Sequence, residues 1–152
     1  MNGESFGPVP TDIGSTETLS MASPPTRILF LDDSPTQLKA AAEALTRAGF
    51  QPVTATTVTE AEPFVNSCQI VLIDYNMPGI TGAEALAALK SKLVEGSQPR
   101  FYLYTTDPSA AKQYRDIGFD GLFVLKGDVN ALVKQMESVM RLLKTQAMKR
   151  AS

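Results

Sequence analysis

The run Ile70-Val71-Leu72-Ile73-Asp74-Tyr75-Asn76-Met77-Pro78-Gly79-Ile80-Thr81-Gly82 decides how this chain folds. Its first four residues are apolar and mostly β-branched, the composition of a strand buried on both faces, and a carboxylate follows at once. Met77-Pro78-Gly79 reads as a turn, and Thr81-Gly82-Ala83-Glu84 sets a hydroxyl three residues ahead of a glutamate, the pattern that caps a helix. In open α/β sheets ligands bind beyond the carboxyl ends of the strands, so Asp74 stands where chemistry is expected.

The same strand-then-helix grammar repeats on both sides. Arg27 to Leu31 is an apolar run closed by Asp32-Asp33, and Ser34-Pro35-Thr36-Gln37 joins a capping Ser to a Pro at the first helical position. The helix so opened carries Leu38, Ala41, Ala42 and Leu45 at helical spacing and stops at Gly49, before a strand from about Phe50 to Ala55. Thr57-Val58-Thr59-Glu60 opens a short helix that Pro63 must either begin or break. After Thr81, residues Ala85, Leu86, Leu89 and Leu93 predict a helix to about Gly96. Phe101 to Thr105 is a fourth strand, and Asp107-Pro108 starts a short helix ending near Gly118. Leu122 to Leu125 is the fifth strand, and Asp128 caps a last helix with Val129, Leu132, Val133, Met136, Met140 and Leu143 on one stripe. Five βα units with right-handed crossovers give an α/β fold: a doubly wound, five-stranded parallel sheet in the order 2-1-3-4-5.

A chain of 152 residues suits one domain. Residues 1–26 contain no Lys or Arg, three acids (Glu4, Asp12, Glu17) and many Gly, Pro, Ser and Thr, so a disordered tail is expected there, with the domain at 27–146 and a short tail at 147–152. No secretory signal and no apolar stretch of membrane-spanning length is visible, and a cytoplasmic location is expected. The single Cys68 excludes an intramolecular disulfide and reads as a buried thiol, while the lack of His removes imidazole ligands and bases. Net charge is −2, and without the three tail acids 13 acidic residues face 14 basic ones, so no broad basic field calls for nucleic acid. Arg141, Lys144, Lys149 and Arg150 suit the end of a helix.

In the predicted sheet order, Asp32, Asp33 and Asp74 meet across adjacent strands and repel one another. Two unit charges at about 4 Å and an effective dielectric near 20 interact by roughly 4 kcal/mol, so such a cluster calls for a cation. An all-oxygen donor set without His or Cys suits Mg²⁺. With its charge offset, Asp74 can attack phosphorus, while Lys126 at the end of strand five and Thr105 at the end of strand four serve the phosphoryl oxygens. Each feature has a structural reading as well: Asp33 or Ser34 as a helix cap, Met77-Pro78-Gly79 as a turn, Lys126 as a solvated charge. No structural rule requires a charged or hydroxyl group at the ends of four strands together.

These residues, above all the Asp-x-x-Met-Pro-x-x-x-Gly run from Asp74 to Gly82, resemble the receiver domain of bacterial two-component response regulators over about residues 27 to 143. The resemblance implies a flavodoxin-like (βα)5 fold, Asp74 as phosphoacceptor, and Mg²⁺ held by Asp32, Asp33 and Asp74 with the backbone carbonyl of Asn76. It also implies a switch pair of Thr105 and Phe123, against which stands Phe123 as core filler. The implied partners are a histidine kinase or phosphotransfer protein and a downstream target bound through the fourth helix, fifth strand and fifth helix. A protein of this kind is a signalling domain rather than an enzyme, and the 26 residues after Lys126 leave no room for an effector domain, so a stand-alone receiver is expected.

Gly127 replaces the family's usual Pro after the lysine, and Thr106 takes the place of a usually smaller residue beside Thr105, with Asp107 following it; with Asn76 these predict an unusual phosphoryl lifetime. The alternatives are a phosphorylation-independent pseudo-receiver, a phosphorelay intermediate, or an enzyme on the same sheet. Asp32-Asp33 would repel the phosphate such an enzyme cradles after its first strand, and Asp74-Tyr75-Asn76 lacks the second acid of a haloacid-dehalogenase type phosphatase.

Overall fold

The computed structural model of the chain describes residues 25–123 and 127–151, with side chains to residue 146. The expected tail therefore falls outside the described residues up to position 24, as do Val124, Leu125 and Lys126. In chain order the elements are β1 (Arg27–Leu31), α1 (Pro35–Arg47), β2 (Gln51–Ala55), α2 (Val58–Ala61), a 3-10 helix (Glu62–Ser67), β3 (Ile70–Asp74), β4 (Asn76–Met77), β5 (Ile80–Thr81), α3 (Gly82–Lys90), β6 (Arg100–Tyr104), α4 (Pro108–Lys112), α5 (Tyr114–Ile117), β7 (Gly121–Phe123) and α6 (Val129–Ala151). Five strands form one parallel sheet in the order β2-β1-β3-β6-β7, which is 2-1-3-4-5 among its own strands. The doubly wound architecture read from the sequence is the one observed.

Alternate side chains of each strand serve two different cores. Ile28, Phe30, Ile70, Leu72, Tyr102, Tyr104 and Phe123 pack with Leu38, Ala41 and Leu45 of α1 and Leu132 and Met136 of α6. Leu29, Leu31, Val71, Ile73, Phe101 and Leu103 pack on the opposite face with Ala85, Leu86 and Leu89 of α3. β3 is buried at every position, which explains its unbroken apolar run. Cys68 is buried in the second core, and burial pushes its thiol up, away from reactive thiolate.

Three elements depart from expectation. The helix after Thr81 ends at Lys90 rather than Gly96 because Asn66 captures the chain beyond it: its amide donates to the Lys92 carbonyl (2.9 Å) and accepts from the Val94 N–H (3.0 Å). Leu93 still packs against the core from this loop. The helix expected from Pro108 to Gly118 is two pieces, separated at Gln113. The last helix runs on through residues 147–151, beyond the domain boundary expected at 146, since no Gly or Pro interrupts 129–151 and basic side chains favour its end. Pro63 sits at the start of the 3-10 helix, where its missing N–H costs no helical bond.

Candidate functional site

Strand register brings the acids together. Leu31 pairs with Ala55 on one side and Ile73 on the other, and the Asp32 N–H extends the ladder by one bond to the Ala55 carbonyl (3.1 Å). Asp32 thus stands level with Asp74, whose strand neighbour on the far side is Tyr104. Carboxylate oxygens of Asp32, Asp33 and Asp74 lie within 4.8 Å of one another. Asp32 and Asp74 are each 1% exposed, while Asp33 faces solvent. One oxygen of Asp32 accepts the Ser34 N–H (2.9 Å), and one of Asp74 accepts the Asn76 N–H (3.4 Å), so both carboxylates are aimed by their own following loops.

Three ionised carboxylates so close, two of them buried, repel strongly unless a cation joins them. Oxygen donors alone suit Mg²⁺, and the site passes that chemical test. The competing role for Asp33 is taken by its neighbour, because the Ser34 hydroxyl caps α1 by accepting from the Gln37 N–H (3.3 Å). Asp33 is left to the crevice.

The segment after Asp74 is more than a turn. Asn76–Met77 and Ile80–Thr81 form a two-residue antiparallel ladder across Pro78-Gly79, and the returning chain docks on its own start through the Gly82 N–H to the Tyr75 carbonyl (2.8 Å). Gly82 is obligatory there: a Cβ would lie 2.8 Å from the Tyr75 Cα and 3.3 Å from the Asp74 carbonyl oxygen. The reciprocal capping box then starts α3, with the Glu84 N–H on the Thr81 hydroxyl (3.1 Å) and the Thr81 N–H on the Glu84 carboxylate (2.8 Å). A cleft of about 470 Å³, walled by Thr56, Thr57, Val58, Met77, Pro78 and Ile80, opens beside Asp33.

The remaining site residues come together in part. Thr105 is buried one residue past β6, and its hydroxyl accepts the Asp107 N–H (2.9 Å), while Asp107 caps α4 by accepting from Ser109 and Ala110. Phe123 is fully buried in the layer of α1 and α6, edge-on to Tyr102 at 5.3 Å. Leu103, two residues before Thr105, faces the other layer. Lys126 lies outside the described residues. At Gly127, φ is +94° and the N–H donates to the Tyr104 hydroxyl (3.0 Å). Proline could adopt neither that angle nor that bond, which accounts for the departure at this position. Tyr104 escaped the sequence reading of the site, and Gly82 entered it only as the end of the Asp74 run.

No curated protein matches the sequence. Among solved structures, the chemotaxis response regulator of Vibrio cholerae is 25% identical, with 76% of this chain and 98% of that one covered at a TM-score of 0.62. A CheY-like receiver domain from Methylobacillus flagellatus (20% identical, 76% and 98% covered, TM-score 0.64) and one from Methanospirillum hungatei (18%, 80% and 98%, 0.66) share the fold. The family described as response regulator receiver domain matches residues 28–137, the span that runs from β1 into α6 and encloses all three clustered acids. A parallel sheet of order 2-1-3-4-5, an acid cluster at its carboxyl edge and this match place the chain in the response regulator receiver domain family.

Proposed function

We propose that the chain, with a receiver unit at residues 27–146, takes a phosphoryl group onto Asp74 and so changes a surface read by a target protein. One observation supports this above others: three carboxylates from two neighbouring strand ends share a space of 4.8 Å at the edge where such sheets bind ligands. A carboxylate oxygen of Asp74 attacks phosphorus, forming an O–P bond as the bond from phosphorus to the donor's leaving group breaks. The donor is the phosphohistidine of a histidine kinase or phosphotransfer protein. Asp32, Asp33, Asp74 and the Asn76 carbonyl are proposed to hold Mg²⁺, which when bound offsets the acids' repulsion toward the incoming phosphoryl oxygens. Thr105 donates its hydroxyl to one phosphoryl oxygen and Lys126 its ammonium to another. The cleft beside Asp33 gives the donor its approach.

The Thr105 hydroxyl accepts from Asp107, the cap of α4, so drawing it toward a phosphoryl group disturbs the start of that helix. The output face is accordingly α4, α5, β7 and α6. Thr105 is proposed to move together with Phe123, which packs under α6. The test is incubation with acetyl phosphate and Mg²⁺, followed by intact mass of the parent and of Asp74→Ala. A gain of one phosphoryl group in the parent alone is expected; an unlabelled parent ends this reading and leaves the pseudo-receiver, and labelling that survives the substitution ends it by moving the acceptor to another residue.

A further inference from the structure

The β6 strand ends in an unusual strut. Tyr104 is 2% exposed, its ring is wedged edge-on against Phe30 at 5.2 Å, and its hydroxyl reaches from the strand's last residue to the N–H of Gly127. The bond spans 23 residues and joins two different parts of the site's rim. On one side, Tyr104 is the register partner of Asp74 and the residue before Thr105. On the other, Gly127 immediately follows Lys126 and precedes Asp128, whose carboxylate accepts the Ala131 N–H (3.0 Å) to cap α6.

A Cβ built on Gly127 would meet no atom within 4 Å, so its left-handed φ of +94° is not imposed by crowding on that side. The bond from its N–H to the phenol ties that turn to the end of β6. The wedge on Phe30 fixes the phenol, so the tether has a rigid base.

We infer that Tyr104 is a positioning residue for phosphoryl transfer, its hydroxyl setting the turn at Gly127 against the strand that carries Thr105. The inference rests on the proposed reaction at Asp74, since the peptide it fixes is the one that follows Lys126. Tyr104 touches neither phosphorus nor metal; it acts through the turn.

The test compares the full chain with Tyr104→Phe, which keeps the ring and its packing. Labelling by acetyl phosphate at saturating Mg²⁺ is expected to slow about three- to tenfold, the value of one hydrogen bond. Hydrogen exchange at the Gly127 amide is expected to quicken and the thermal midpoint to fall by a few degrees, about one hydrogen bond's worth, while Mg²⁺ affinity by calorimetry stays at the parent's value. A labelled parent with an equally fast Tyr104→Phe overturns the strut alone, as does a loss of rate matched by a loss of Mg²⁺ affinity. A parent that takes no phosphoryl group overturns the Asp74 reading, and this role for Tyr104 with it.

Discussion

The two halves of the sheet's carboxyl edge are built by different means. From Ile70 to Lys90, the loop after Asp74 is ordered largely by short-range contacts: the Asn76 N–H, the two-residue ladder, the close approach of Gly82 to Tyr75, the capping box at Thr81. From Arg100 to Asp128, order depends on distant partners. The Phe101 N–H is held by the Asp120 carboxylate, Gly127 by Tyr104, and the Leu122 carbonyl by the Gln135 amide of α6 (2.7 Å). The helical segment between is broken at Gln113, and described β7 is only three residues long. On the function proposed above, local wiring suits a fixed nucleophile, whereas long-range wiring suits a region that rearranges as a unit.

The largest effect should come from the anchor of the second half. Phe123→Ala empties a fully buried site between Tyr102 and α6 and should cost about 3–5 kcal/mol in urea unfolding. A variant as stable as the parent would mean that the ring does not anchor this half and would blur the contrast. Gly82→Ala attacks the locally wired half: its Cβ meets backbone, which cannot swing aside, so about 1–3 kcal/mol should be lost together with labelling at Asp74. Loss of stability with unchanged labelling would mean that Asp74 is aimed by something other than the hairpin.

The smallest effect tests another short-range cluster on the site's rim, where Thr56 donates its N–H and hydroxyl to the Glu60 carboxylate. The Thr56 backbone bond, chiefly, holds this carboxyl below its ordinary 4.5. The stabilisation is complete above 4.5 and disappears as pH falls through the lowered folded value. Glu60→Gln should therefore flatten the acid limb of the stability profile slightly, and an identical limb would remove Glu60 from the account.

Legibility in the sequence divides along the same line. The strands, the caps at Ser34, Thr57, Thr81, Asp107 and Asp128, and the meeting of Asp32, Asp33 and Asp74 were readable, because caps span three residues and burial on both faces writes itself as an apolar run. The early end of α3 was not, since Asn66 imposes it from 26 and 28 residues away. Tyr104 looked like an ordinary strand aromatic, and only the fold reveals that its hydroxyl meets a glycine in a left-handed turn. The face that Phe123 takes depends on pairing with Tyr104, a register that β7 alone cannot specify.

Helix α6 is 23 residues long, roughly 35 Å, about twice the span of the five-residue strands it covers. Its first turn is capped by Asp128 beside Gly127, and Leu132, Met136 and Val139 seat it on the sheet. Met140, Arg141, Leu143 and Lys144 share a cleft with Thr26 and Gln69 at the amino ends of β1 and β3, so the turns after Lys144 outrun the layer they belong to.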